Sequence, residues 1–209
     1  MGWAEALSTG LGSSGDLRER VLDVLRATPE GAALFTAPPL DAVAKALGTV
    51  GADVLVYLVP GAADGHLVLV DSGGARAVAA PGLRVDPDGP PARFVPLLAD
   101  TADRLQRRRV LREVIDWAGT AVVGPLRAVL PDGEPRVVLV PADVLGAVPW
   151  AAARLPGPGL VRYACQELVV STAASARQLV DVAARVPATT GAPCSSVPPR
   201  NRRATPSRR

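Results

Sequence analysis

Residues 137–178 read VVLVPADVLGAVPWAAARLPGPGLVRYACQELVVSTAASARQ, and this stretch decides the fold. Its first four residues, Val137–Val140, form a short, wholly apolar run, which is typical of a strand in a parallel sheet that is covered on both faces. Pro141 ends that strand, because proline cannot donate a backbone hydrogen bond. Pro149 favours a helix start, and Trp150 is expected to pack against the sheet with its N–H hydrogen-bonded.

The second half of the stretch repeats the strand–helix pattern. Leu168–Val170 begins another apolar strand of the same buried type. An amphipathic helix is predicted over Ala173–Val186, with Leu179, Val182 and Val186 on its inner face. Strand, helix, strand and helix in this order predict an α/β fold.

Two helices and three strands are predicted upstream. The first helix runs from Asp16 to about Ala27, and the second from Pro39 to Leu47. The apolar residues expected to face inward from these helices are Leu17, Val21, Val24, Leu25, Val43, Ala44 and Leu47. The strands form a β meander at Val54–Val59, His66–Asp71 and Ala75–Ala80.

A longer helical pattern follows a loop that is rich in proline and glycine, at 81–91. The apolar stripe runs from Ala92 to Gly119, and Gly124-Pro125 is expected to break or kink the helix. The chain therefore divides into a flexible N-terminus (1–15), a helical and β-meander segment (16–90), an α/β layer (91–186) and a tail rich in Arg, Pro and Ser (187–209). The composition of the tail does not permit a packed core.

The charge balance does not support nucleic-acid binding by the folded part of the chain. The formal net charge is +3, but the five arginines of 187–209 account for the excess, and residues 1–186 carry 18 basic against 20 acidic side chains. No apolar segment approaches the roughly 20 residues of a membrane span. The first residues lack a secretion-signal pattern, so a cytoplasmic location is expected.

Four local patterns are similar to those of CHAT domains, a caspase-like cysteine peptidase family common in bacteria. They are Asp116-Trp117-Ala118 with Gly124-Pro125-Leu126, Val138–Pro141 with Pro149–Ala152, Tyr163–Gln166, and Ser175–Gln178. The upstream run Ala52–Leu58 also resembles the region before many such domains. The resemblance covers about residues 16–186 and implies a mostly parallel, caspase-like sheet flanked by helices.

In that family a His-Gly pair and an Ala-Cys pair lie downstream of the helix that begins with Ser-Ala-Arg-Gln, and they supply the nucleophile and its base. Neither pair follows Gln178 here. The resemblance therefore implies an incomplete caspase-like α/β layer, truncated before the catalytic His and Cys, and it carries over no catalytic residue. An out-of-frame or truncated end at residue 187 is one explanation.

The remaining candidates for chemistry favour structural roles. His66, the sole histidine, heads a predicted strand and is interpreted as an exposed or edge-strand residue. Cys165 is interpreted as a buried small residue because it lies in an apolar run, and it is not expected to be a nucleophile because its neighbours Tyr163, Ala164 and Gln166 are not basic. Cys194 lies in the tail without a partner. Asp64, Asp71, Asp86 and Asp88 suit turns rather than a metal site. No catalytic, cofactor-binding or metal-binding residue is predicted.

The leading hypothesis is a CHAT-like protein without peptidase activity. An alternative is an interaction or regulatory module, in which a second chain pairs with an open sheet edge in a bacterial defence or signalling assembly. The resemblance also implies a tetratricopeptide-repeat neighbour as a possible partner. A third alternative, an unrelated ligand-binding α/β domain, has no pocket signature in the sequence. No membrane partner and no specific nucleic acid are predicted.

Overall fold

The structure, a computed structural model, describes residues 14–29, 31, 36–84, 86–99, 104–155, 157 and 161–186, with side chains from residue 19 onward except that of Ala99. The predicted flexible N-terminus therefore lies almost wholly outside the described residues. The predicted tail 187–209, with Cys194, lies entirely outside them.

The described chain contains seven strands and six α-helices. The strands are β1 (Val54–Val59), β2 (Gly65–Asp71), β3 (Gly74–Ala80), β4 (Arg136–Val140), β5 (Arg154–Leu155), β6 (Arg162–Tyr163) and β7 (Val169–Thr172). The α-helices are α1 (Ser14–Arg26), α2 (Leu40–Val50), α3 (Pro90–Ala99), α4 (Arg104–Ala118), α5 (Gly124–Arg127) and α6 (Ala176–Arg185). A π-helical turn occupies Gly119–Val123, and 3-10 turns occupy Asp143–Ala147, Trp150–Ala152 and Ala164–Gln166.

The central element is a five-stranded sheet with the order β3-β2-β1-β4-β7. The meander strands β1, β2 and β3 pair antiparallel, whereas β4 lies parallel between β1 and β7. The predicted α/β fold is therefore confirmed, and the predicted meander is present. Strands of both predicted segments, 16–90 and 91–186, belong to this one sheet. β1 lies beside β4 at its centre because the continuous apolar run of β1 is buried on both faces, like that of β4.

Helices cover both faces of the sheet. We call these the α4 face and the α2 face. On the α4 face, residues of α4, α5 and the 3-10 turns pack against Val54, Val56 and Leu139. On the α2 face, α2 and α6 pack over Leu55 and Val138. Along β1 and β4, apolar side chains alternate between the two cores, which fixes the register.

The predicted helix over 92–119 is two helices, α3 and α4, and residues 100–103 between them are not described. Near Gly124-Pro125, where a break or kink is expected, the regular α-helix has already ended at Ala118, but the chain stays helical. A π-helical turn precedes Pro125, and the helical path continues into α5. This turn passes close to β5, since a Cβ added at Gly119 would lie 1.6 Å from the carbonyl oxygen of Arg154.

Trp150 takes the position that the sequence predicts. Its side chain is buried, and its indole N–H donates to the carbonyl oxygen of Leu145 at 3.2 Å. Its ring lies 6.1 Å from that of Trp117, whose N–H donates to the carbonyl oxygen of Gly82 at 3.2 Å. The two tryptophans therefore connect the end of α4 with the turn that follows β4.

The second strand–helix pair differs from its prediction. β7 is an edge strand, so Val169 is 45% exposed rather than buried on both faces. In α6 the buried residues are Ala176, Leu179 and Ala183, whereas Val182 and Val186 are exposed. The buried stripe of α6 is therefore narrower than predicted, because Val182 and Val186 lie outside the side of the helix that packs against β4.

The upstream helices also differ in burial. In α2, Val43 and Leu47 are buried as predicted, but Ala46 rather than Ala44 is the third buried residue. In α1, the stripe expected to face inward is exposed at Val21, Val24 and Leu25. The amphipathic pattern of α1 is present, and the described part of the chain leaves it uncovered.

Candidate functional site

His66 lies on β2 with its side chain exposed. The exposure agrees with its interpretation, but β2 is an inner strand between β1 and β3 rather than an edge. His66 pairs with Val59, which is the last residue of β1. It therefore lies at the carboxyl end of the parallel strands.

Cys165 is exposed, so its interpretation as a buried residue is wrong. The reason is the 3-10 turn Ala164–Gln166, in which Ala164 takes the buried position. The side chain of Gln166 accepts a hydrogen bond from the backbone N–H of Tyr163 at 2.8 Å and so fixes the turn. The apolar run of the sequence is therefore interrupted before Leu168, which is buried.

The sheet keeps His66 and Cys165 far apart. Cys165 precedes β7 at the amino end of the parallel strands, and His66 lies at their carboxyl end. β1 and β4 also separate β2 from β7. With strands about 4.8 Å apart and a rise of about 3.3 Å per residue, three strand spacings and at least six residues of rise separate the two positions by roughly 25 Å. No nucleophile–base pair is formed by these two residues.

The loop aspartates act in turns, as predicted for Asp71 and Asp86. Asp71 accepts a hydrogen bond from the backbone N–H of Gly73 at 2.8 Å, and Asp86 from that of Asp88 at 2.9 Å. Asp71 also pairs with Arg76 across the β2–β3 hairpin. The hydrogen bond from Arg76, followed by that from Gly73, lowers the pKa of Asp71. Within the described ranges, His, Cys, Asp and Glu side chains nowhere form a group of three that could hold a metal ion.

β7 forms one edge of the five-stranded sheet, and a groove lies beside it. Val169 donates its N–H to the carbonyl oxygen of Pro135 at 3.0 Å, and Ala173 donates to that of Leu139 at 2.9 Å. Because alternate residues of a strand direct their backbone groups to opposite sides, Val170 and Thr172 direct theirs away from β4. We call the backbone of these two residues the β7 edge.

A groove lies next to the β7 edge on the α2 face of the sheet. It encloses about 370 Å³ between the sheet, the end of α2 and one side of α6. Its apolar lining includes Val138, Val169, Leu179 and Val182. Arg136 is the charged residue among the described residues that line it. The groove therefore suits an apolar side chain rather than a charged ligand.

The start of α6 ends the β7 edge at the carboxyl end of β7. The side chain of Gln178 accepts a hydrogen bond from the N–H of Ala174 at 2.5 Å. In return, the backbone N–H of Gln178 donates to the side chain of Ser175 at 3.2 Å, which caps the helix. These two bonds pair the N–H groups of Ala174 and Gln178, so the β7 edge ends at Thr172.

Two further contacts hold α6 in place. Ala176 donates its N–H to the hydroxyl oxygen of Tyr57 at 3.3 Å. The guanidinium of Arg177 donates to the carbonyl oxygen of Thr36, ahead of α2, at 2.8 Å. One wall of the groove is therefore anchored both to the sheet and to the segment that precedes α2.

No protein-family model matches this chain, and none of the curated proteins matches it either. Among the described residues, none of the helices has the length and apolar character needed to cross a membrane.

Proposed function

We propose that this chain is a CHAT-like scaffold without peptidase activity that serves as an interaction module, and that it accepts a β-strand of a second polypeptide at the β7 edge. The resemblance supports the scaffold part of the proposal. Val138–Pro141 forms the end of β4 and the residue after it, and Ser175–Gln178 caps and opens α6. The separation of His66 from Cys165 supports the absence of catalysis.

The single observation that carries the binding part is the parallel β7 edge with a groove beside it. An exposed strand offers unpaired N–H and C=O groups to another chain, and adjacent pockets give specificity through alternate side chains. Val170 and Thr172 supply the backbone groups, while Val169 and Val182, both nearly half exposed, border the groove. The partner is therefore an extended segment with apolar side chains at alternate positions.

The direction of the strand connections favours a separate polypeptide as that partner. The connections from β3 to β4 and from β4 to β7 both cover the α4 face and both lead toward the β7 side of the sheet. Connections between parallel strands are right-handed in almost all proteins. A right-handed connection through α6, which lies on the α2 face, would therefore lead toward β3 and not beyond β7. This handedness disfavours a parallel strand from the segment that directly follows α6, and it supports the proposal that the strand at the β7 edge belongs to another chain.

The experiment selects peptides of about ten residues from a displayed library on the full chain and then compares their affinity for two variants. Thr172→Pro removes an outward N–H without touching the pairing with β4, because proline is tolerated on the free side of an edge strand. Thr172→Ala keeps that N–H and is the matched control.

We expect the selected peptides to alternate apolar and polar residues and to bind Thr172→Pro at least about tenfold more weakly, which is about 1.4 kcal/mol. Their affinity for Thr172→Ala should stay within about twofold. Equal affinity for the wild type and Thr172→Pro would show that binding does not use the β7 edge. Peptide turnover that disappears in Cys165→Ser would contradict the absence of peptidase activity.

A further inference from the structure

A strip of the sheet on the α2 face is not covered by α2 or α6. It consists of the outward side chains of β2 and β3 together with the end of β1. Its exposed members are Val59, His66, Ala75, Ala77 and Ala79, and Val68 is half-buried between them. We call this strip the β2–β3 face. It is flat and mostly apolar, with alanines that permit close approach of another backbone.

The same chain carries an apolar helix surface that the described residues leave exposed. In α1, Val21 is 50% exposed, Val24 68% and Leu25 37%. These residues follow the i, i+3, i+4 spacing of one helix face. Glu19 and Asp23 lie off this stripe and are exposed as well. An amphipathic helix of this kind gains stability chiefly by packing its apolar side onto a surface.

The helix and the strip match in size and position. Thirteen residues of helix extend about 20 Å at 1.5 Å per residue, and the seven residues of β2 extend about 23 Å. α2 lies on the same face of the sheet, so a helix on the β2–β3 face would lie beside α2, with the two helix axes roughly 8–10 Å apart. Arg177 holds Thr36, so residues 27–35 form the connection from α1 to that anchored point and can span at most about 30 Å.

We infer that α1 docks onto the β2–β3 face of its own chain and becomes a third helix of the layer formed by α2 and α6. Val21, Val24 and Leu25 then contact Val68, Ala77 and Ala79. The structure holds α1 in the undocked arrangement. Docking is independent of the β7 edge, which lies at the other end of the sheet.

The connection favours the chain's own helix over that of a second copy. α1 is covalently joined to α2, which lies on the same face of the sheet, so its effective local concentration at the β2–β3 face exceeds that of a second copy in dilute protein. A second copy at micromolar concentration therefore competes less well for the same surface. The docked arrangement is therefore intramolecular in dilute protein.

Disulfide trapping tests the contact in the full chain with Cys165→Ser and Cys194→Ser as background. The test pair is Val24→Cys with Ala77→Cys, since a disulfide requires Cα atoms within about 7 Å. The control pair is Asp23→Cys with Ala77→Cys, which places the thiol on the polar side of α1. Intact mass separates disulfides within one chain from those between chains.

We expect the test pair to oxidise within one chain at least about tenfold faster than the control pair. Equal rates, or a disulfide formed mainly between two chains, would overturn the proposal. A second measurement needs no cysteine: amide exchange of residues 19–26 should become at least about tenfold faster in Ala77→Asp. Unchanged exchange in that variant would overturn the proposal too, because the exposed position of Ala77 allows the variant to fold.

Discussion

The contact between Gly119 and Arg154 fixes how the helical layer meets the small β5–β6 sheet. A side chain at residue 119 would collide with backbone rather than with a flexible group. The collision falls in the π-helical turn, just before α5. The carboxylate of Asp116 in α4 also forms a salt bridge with the guanidinium of Arg154 at 2.5 Å, so both the backbone and the side chain of Arg154 contact the helical layer.

Gly119→Ala should lower the free energy of unfolding by about 1–3 kcal/mol, the usual cost of overpacking. Gly48 is the control, because a Cβ there meets nothing within 4 Å and the residue lies in α2. Gly48→Ala should raise the free energy of unfolding by about 0.5–1 kcal/mol. Urea unfolding measures both. A Gly119→Ala variant as stable as the wild type would rule out the close contact.

Asp71 provides a pH test of the β2–β3 hairpin. Its pKa is lowered in the folded state by Arg76 and Gly73, so it contributes stability above its unfolded-state pKa. That contribution is lost as the pH falls through the folded-state pKa. Because Asp71 and Arg76 are partly exposed, it amounts to less than about 1 kcal/mol.

Wild type should therefore be slightly more stable than Asp71→Asn near pH 7, and the difference should fade as the pH falls below 3.8. Thermal unfolding of the two proteins at several pH values measures this difference. A gap that widens on acidification would contradict the lowered pKa. The β2–β3 turn itself should remain, because an asparagine side chain still accepts from Gly73.

Residue patterns predicted local burial only in part. Trp150 was predictable, because an indole beside Pro149 needs both an apolar surface and an acceptor. Cys165 was not predictable, because a single 3-10 turn within an apolar run reverses which residue faces the core. An open sheet edge was predicted without the strand that would form it, and the groove beside β7 depends on contacts between α6, α2 and the sheet that are distant in sequence.

Among the elements, α6 determines the shape of the groove. Its N-terminus is capped by Ser175, closed by Gln178 and held by Tyr57. Helix periodicity predicted that this helix exists. It did not predict which residues are buried, because that depends on the angle at which α6 meets β4 and β7.

Ser175→Ala should lower the free energy of unfolding by about 1 kcal/mol, because it removes the acceptor for the N–H of Gln178. Ser72→Ala, in the exposed turn between β2 and β3, is the control and should change it by less than about 0.5 kcal/mol. Chemical unfolding, with amide exchange of α6, provides the readout. Equal effects of the two substitutions would mean that the cap does not stabilise α6.

The sequence predicted α1 and α4 as amphipathic helices, and both exist. Amphipathicity predicts which side of a helix packs against another surface, but it does not identify that surface. The stripe of α4 is covered by the sheet at Val110 and Val114, whereas that of α1 is exposed. The π-helical turn at Gly119–Val123 was not predicted, because Gly124-Pro125 indicates that the helix breaks or kinks but not which form the irregular turn takes.

At the scale of the whole molecule, the strand order is the feature that the sequence could not provide. Each strand was predictable from its own apolar run. The insertion of β1 between β2 and β4 joins the meander to the parallel strands, and it depends on pairings across many residues, such as Leu55 with Val138. This order leaves β7 at one end of the sheet, which is where the proposed partner binds.

Amide exchange of the β7 edge, with and without a selected peptide, tests the central claim most directly. The account predicts that the N–H groups of Val170 and Thr172 exchange at least about tenfold more slowly in the complex, while that of Ser171, which faces β4, changes little. Bound peptide with unchanged exchange at Val170 and Thr172 would contradict the claim that a second chain extends this sheet.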